Sequence, residues 1–151
     1  MPKILLIVIG KNIKQLGKLL SHKLKCICYQ FYNFQKAKKL IQKSQLNLDF
    51  QYIIFLSFLE GSHNLQNSKY FKKFLQKYNK NKIIFLKPFA KDKIKVNILF
   101  EKIKNYAQPG VIFLDHLNKD FWFENFRLKA KFSRKLSEAI FLELMNHITD
   151  Y

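Results

Sequence analysis

The sequence predicts a three-layer α/β sandwich built on one parallel sheet. Three observations carry this. The apolar run Lys3 to Ile9 ends abruptly at Gly10, as a central strand buried on both faces does. Two further short apolar runs, 51–59 and 82–86, are closed by Glu60-Gly61 and by Pro88. Between and after them lie segments whose apolar residues recur at helical spacing. Strands alternating with helices at these intervals form a parallel sheet with helices on both faces.

Lys3 to Ile9 is the first strand. Phe34, Ala37, Leu40 and Ile41 then make one face of a helix over Asn33 to Lys43. Gln51 to Leu59 is the second predicted strand. Tyr70, Phe71, Phe74, Leu75 and Tyr78 give a second amphipathic helix whose other face is lysine. Lys82 to Leu86 is the third strand. Ile94, Ile98, Leu99, Ile103 and Tyr106 form the next helical stripe, ended by Pro109-Gly110. Val111 to Leu114 is the fourth strand. Ser133 to Ile148 has a helical period, with a short edge strand at Ala139 to Leu142 as the alternative. No linker, repeat or low-complexity segment interrupts this order, so residues 1–151 read as a single domain.

The composition agrees. With 48% hydrophobic and 16% aromatic residues, a chain of 151 residues can bury a core, which excludes a disordered chain. The net charge of +18 comes from 26 Lys and two Arg against 10 acidic residues. Lys, Asn, Ile, Phe and Tyr together make up about half the chain, and all have A/T-rich codons. Codon drift therefore explains the lysine excess without a polyanionic partner. Arg, the preferred side chain for bidentate phosphate and base contacts, is nearly absent, so a nucleic-acid partner is not expected. Cys26 and Cys28 stand too close together to staple a secreted fold, which favours a reduced, cytoplasmic setting. The runs Ile4 to Ile9 and Ile53 to Leu59 fall far short of the roughly 20 residues of a membrane helix. Pro2-Lys3 leads directly into a strand, so no secretory leader is expected.

Ligands of parallel sheets bind outside the carboxyl ends of the strands. Four segments reach that edge: 10–17, 57–64, 87–93 and 115–127. The first contains Gly10, Asn12 and Gly17, which lack the spacing of a dinucleotide fingerprint or a phosphate loop. Asn12 can still present an amide to a ligand; the plainer reading is a strand-to-helix turn. His116 directly follows the fourth strand, where a histidine can serve as general acid or base, or simply pack. His22, His63 and His147 have no comparable position. No metal-ligand spacing, no redox cysteine pair and no nucleophile elbow occurs. Arg127 is one of only two arginines, which suggests a requirement for a planar fork that clamps a carboxylate.

The run His116-Leu117-Asn118, followed by Glu124, Phe126-Arg127 and Ser133, resembles the block after the fourth strand of type II 3-dehydroquinate dehydratases. That family reads His-Leu-Ser-Asn there, then Arg-Glu-x-Phe-Arg and a serine. Gly10, Asn12, Leu16 and Gly17 match, in register, its Asn-Gly-Pro-Asn-Leu-Asn-x-Leu-Gly after the first strand. Ser57-Phe-Leu-Glu60-Gly61 is similar to its Ser-Asn-x-Glu-Gly after the second strand, and Pro88-Phe-Ala90 to its Asn-Pro-Gly-Ala after the third. The resemblance extends to about residue 142.

It implies a flavodoxin-like fold, a cytosolic enzyme assembled as trimers gathered into dodecamers, and no cofactor or metal. The implied reaction removes water from 3-dehydroquinate to give 3-dehydroshikimate, in the shikimate pathway to aromatic amino acids, by anti elimination through an enolate. A tyrosinate on a mobile lid takes the proton, and a histidine protonates the departing hydroxyl. By register, His116 is the acid and Asn12 helps stabilise the enolate oxygen. Leu117 and Asn118 hold the substrate through their backbone, and Arg127 orients it. The spacing assigns the lid tyrosine to Tyr29, with Tyr32 as the fallback. Lys18, Lys23 and Lys25 stand where the family's lid carries arginines. Lys87 and Lys93 replace an asparagine and a histidine that hold the substrate carboxylate, and are expected to attract it as point charges. Phe89, Phe100 and Phe123 also depart from the family pattern.

Two other readings compete. One is a basic α/β module that binds nucleic acid or another polyanion through lysine-rich helices, without catalysis. The other is a receiver-like domain, which the absence of an acidic cluster after the first strand disfavours.

Overall fold

The computed structural model describes residues 2–33, 36–37, 50–59, 75, 82–90, 93–107, 109–115 and 130–148. Five strands, β1 (Ile4–Ile9), β2 (Ile27–Phe31), β3 (Tyr52–Leu59), β4 (Lys82–Leu86) and β6 (Ile112–Leu114), form an all-parallel sheet in the order β2-β1-β3-β4-β6. A two-residue strand, β5 (Phe89–Ala90), pairs with the far end of β3. The described helices are α1 (Lys14–Leu24), α2 (Lys93–Tyr106) and α3 (Ala130–Met145), with a 3-10 turn at Lys11–Ile13. The chain moves outward from β1 to β2, crosses back to β3, and continues the other way. This is the flavodoxin-like order, with its switch point between β1 and β3.

Every residue of β1 is buried because both of its edges are paired and both of its faces are covered. Leu6 and Val8 point into one core with Leu16, Leu20 and Leu24 of α1 and Leu136, Ile140 and Leu144 of α3. Leu5, Ile7 and Ile9 point into the other, with Phe55, Phe85, Leu99, Phe100 and Ile103. The sheet thus separates two apolar layers, as a three-layer α/β protein requires.

Several expectations change. β2 is a strand that its composition conceals, so the strands over 52–59, 82–86 and 112–114 are the third, fourth and outermost of the main sheet rather than the second, third and fourth. Ala139 to Leu142 is helical, inside α3. In α2 the buried stripe is Val96, Leu99, Phe100 and Ile103, whereas Ile94 and Ile98 are exposed. That rotation lets Phe100 join an aromatic cluster, with ring centroids 6.3 Å from Phe85 and 5.6 Å from Phe113. The expected helices over 33–43 and 70–78 lie almost wholly outside the described residues.

Two glycines fix how the first unit packs. Gly10 leaves β1 at φ 125°, and a Cβ there would stand 2.9 Å from Phe58 Cβ and 3.1 Å from its carbonyl oxygen. Only glycine tolerates both conditions. At Gly17, a Cβ would meet Val8 Cγ2 at 2.7 Å, so the missing side chain lets α1 lie directly on β1.

Candidate functional site at the carboxyl edge

The residues nearest the switch point come from the exits of β1 and β2. Gly10 N donates to Phe31 O at 2.9 Å, and Lys11 N donates to Tyr32 O at 3.0 Å, so the two exits run side by side. The Lys11 ammonium donates to the Tyr32 phenol oxygen at 3.1 Å and lies 5.3 Å from that ring's centroid. Both side chains are exposed. Asn12, half-buried, sits in the 3-10 turn beside them. An ammonium, a phenol and an amide therefore share one corner of the edge. Neither α1 nor α2 carries an acidic residue in its first turn, so the positive ends of both helices at this edge are not neutralised from within.

At the exit of β4, Lys87 N donates to Leu114 O at 2.7 Å. Its ammonium lies 5.8 Å from the Phe100 ring centroid, which holds it against the aromatic layer. Pro88 is buried, and Phe89 is buried in the core beneath β5. The segment 87–90 is thus stitched onto β3 and β6, and Phe89, the departure from the family glycine, serves as a packing residue. Lys93 begins α2. His116, Leu117, Asn118 and Arg127 lie outside the described residues, which on this side end at Asp115, immediately after β6.

Tyr29 requires a correction. It is not on a lid: α1 begins at Lys14, directly after the 3-10 turn, and Tyr29 lies in mid-strand opposite Ile7. Lys18 and Lys23 belong to α1 and Lys25 caps it, so no lid carries them either. The β1–β2 connection is a packed helix because Leu16, Leu20 and Leu24 fall on one face and bury completely. Tyr29 also stands well back from the carboxyl edge, whereas Tyr32 reaches it. Asn12 and Tyr29 are consequently not brought together, while Asn12, Lys11 and Tyr32 are. Sequence reasoning missed Lys11, whose signal was its place immediately after the Gly10 strand exit.

The cysteines pack as expected. Both lie against the core between the sheet and α1. Burial pushes the Cys26 thiol up from its ordinary 9.0 to about 12, reinforced by neighbouring Cys28. Burial raises Cys28 as well, partly offset by hydrogen bonds involving Gln30 and Ser21. Among the described residues no group of three His, Cys, Asp or Glu has a metal-holding arrangement, and no helix is long and apolar enough to cross a membrane.

The other notable surface is on α1. Lys11, Lys14, Lys18, His22 and Lys25 are all exposed at spacings of three and four residues, forming one stripe along the 3-10 turn and the helix. No family model matches the chain, and no curated protein matches it.

Proposed function

We propose that the chain binds a small organic anion at the carboxyl edge of its sheet, over the exits of β1 and β2 at the switch point. The observation that carries this is the Lys11–Tyr32 pair at 3.1 Å, beside Asn12 and the start of α1. An ammonium supplies charge, an amide supplies a neutral donor, and helix amino ends favour anions. The first chemistry to test there is the one the motif resemblance offers, dehydration of 3-dehydroquinate to 3-dehydroshikimate. With Tyr29 in mid-strand, the phenol required by that chemistry is Tyr32. The shifted strand order and the absence of a family match weigh against the full family mechanism, so the anion site is the firmer half of the proposal.

Incubation with 3-dehydroquinate, followed by enone absorbance, tests the reaction. Turnover that Tyr32→Phe abolishes and Tyr29→Phe leaves intact supports it. His116→Ala should then lower kcat more than it weakens binding, because it removes a proton transfer made in the elimination step. A flat trace at high protein concentration removes the dehydratase chemistry, and calorimetry without binding heat removes the site.

The α1 stripe favours a second reading, a polyanion binder. Its signature is affinity for a nucleic acid that falls steeply and log-linearly with salt and weakens when Lys14 and Lys18 become glutamine.

A further inference from the structure

β2 is a terminal strand of the sheet, and among the described residues it is paired on one side only, with β1. Gly10 N donates to Phe31 O, so Phe31 turns its peptide groups toward β1. Peptide groups alternate along a strand, so those of Ile27 and Tyr29 turn the same way, and those of Cys28 and Gln30 turn outward. An outer edge with two donors and two acceptors is a template for another strand.

Natural edges are usually protected by lysine, proline or a bulge. This one has none of these. The register with β1 is unbroken from Ile27 to Phe31, and residues 26–35 carry no charge in a chain where lysine is 26 of 151 residues. Ile27 and Tyr29, 47% and 43% exposed, share the outer part of one sheet face with Phe31.

We propose that β2 is a self-association edge, on which β2 of a second copy of this chain pairs antiparallel about a twofold axis at Tyr29. In that register Cys28 faces the partner's Gln30 and Gln30 faces the partner's Cys28. All four outward peptide groups are then used in two hydrogen-bonded pairs, and the two sheets become continuous. Tyr29 meets the partner's Tyr29, and Ile27 meets the partner's Phe31, joining the exposed apolar side chains in one strip.

Charge selects the occupant. Two chains of +18 repel, and this uncharged edge is where they can approach. The register sets each Lys25 beside the partner's Asn33. It holds the two Lys25 residues about 26 Å apart along the strands, beyond the screening length of roughly 8 Å at physiological salt. The pairing is independent of the ligand site.

Sedimentation velocity of the full chain tests it at micromolar concentrations. The expected result is a reversible dimer. Tyr29→Lys, which sets like charges face to face on the axis, should weaken it by roughly a hundredfold. Gln30→Pro should do the same by removing an outward N–H without touching the β1 ladder. Circular dichroism of both variants distinguishes lost pairing from lost folding. Tyr29→Cys should form a disulfide-linked dimer on mild oxidation, because directly opposed strand residues lie within bridging distance. Peptide mapping should place that bridge between the two introduced thiols and not at Cys26 or Cys28. A wild-type monomer throughout this range overturns the proposal. So does an assembly that folded Tyr29→Lys leaves intact and Tyr29→Cys does not cross-link.

Discussion

β1 and β2 are neighbours in register, yet they live in opposite environments. Ile4–Ile9 is apolar at every position and buried at every position. Ile27–Phe31 alternates between a face packed under α1 and a face that leaves Ile27 and Tyr29 half in solvent. The difference shows what a parallel sheet demands of a strand. Central strands must be apolar on both sides, while a terminal strand needs one good face and is free to carry Gln, Tyr and Cys.

Breaking β1 should therefore cost far more than altering β2. Leu6→Ala removes a fully buried side chain from the layer between the sheet and α1. It should lower stability by about 3 kcal/mol in urea unfolding. Gly10→Ala should cost about 2 kcal/mol, since it combines a positive φ with the close Phe58 backbone. Gly17→Ala should cost about 1–2 kcal/mol by pushing α1 off Val8. The comparison sharpens at high pH. Cys26 keeps its proton in the folded chain up to about 12 but loses it near 9.0 when unfolded. The unfolded state then binds fewer protons, so stability should decline as pH rises from 9 toward 12, and Cys26→Ala should flatten that decline. Tyr29→Lys should change the stability of the isolated subunit by about 0.5 kcal/mol or less, because its side chain is largely in solvent. Equal losses for Leu6→Ala and Tyr29→Lys would erase the distinction between the two strands.

The same distinction explains what the sequence made legible. Unbroken apolar runs revealed β1, β3 and β4, and helical spacing revealed α3, because burial on both faces or along one stripe leaves a periodic signal. β2 left none: five residues of mixed polarity at an edge read equally well as a loop. Missing it shifted every later strand by one place and put Tyr29 on a lid. In α2 the spacing was helical but two stripes competed, and the bulk of Phe100 decided which one turned inward. Asn12 was found at the carboxyl edge because Gly10 marked the end of β1. The partnership of Lys11 with Tyr32 was hidden, since it exists only when the exits of β1 and β2 lie side by side.

The central claim is that a small anion settles over those exits. Titrating ¹⁵N-labelled protein with 3-dehydroquinate and following amide shifts tests it most directly. Saturable changes at Gly10, Lys11, Asn12 and Tyr32, lost in Lys11→Ala, are the result the account predicts. No saturable change, or changes confined to Lys14, Lys18, His22 and Lys25, would contradict it.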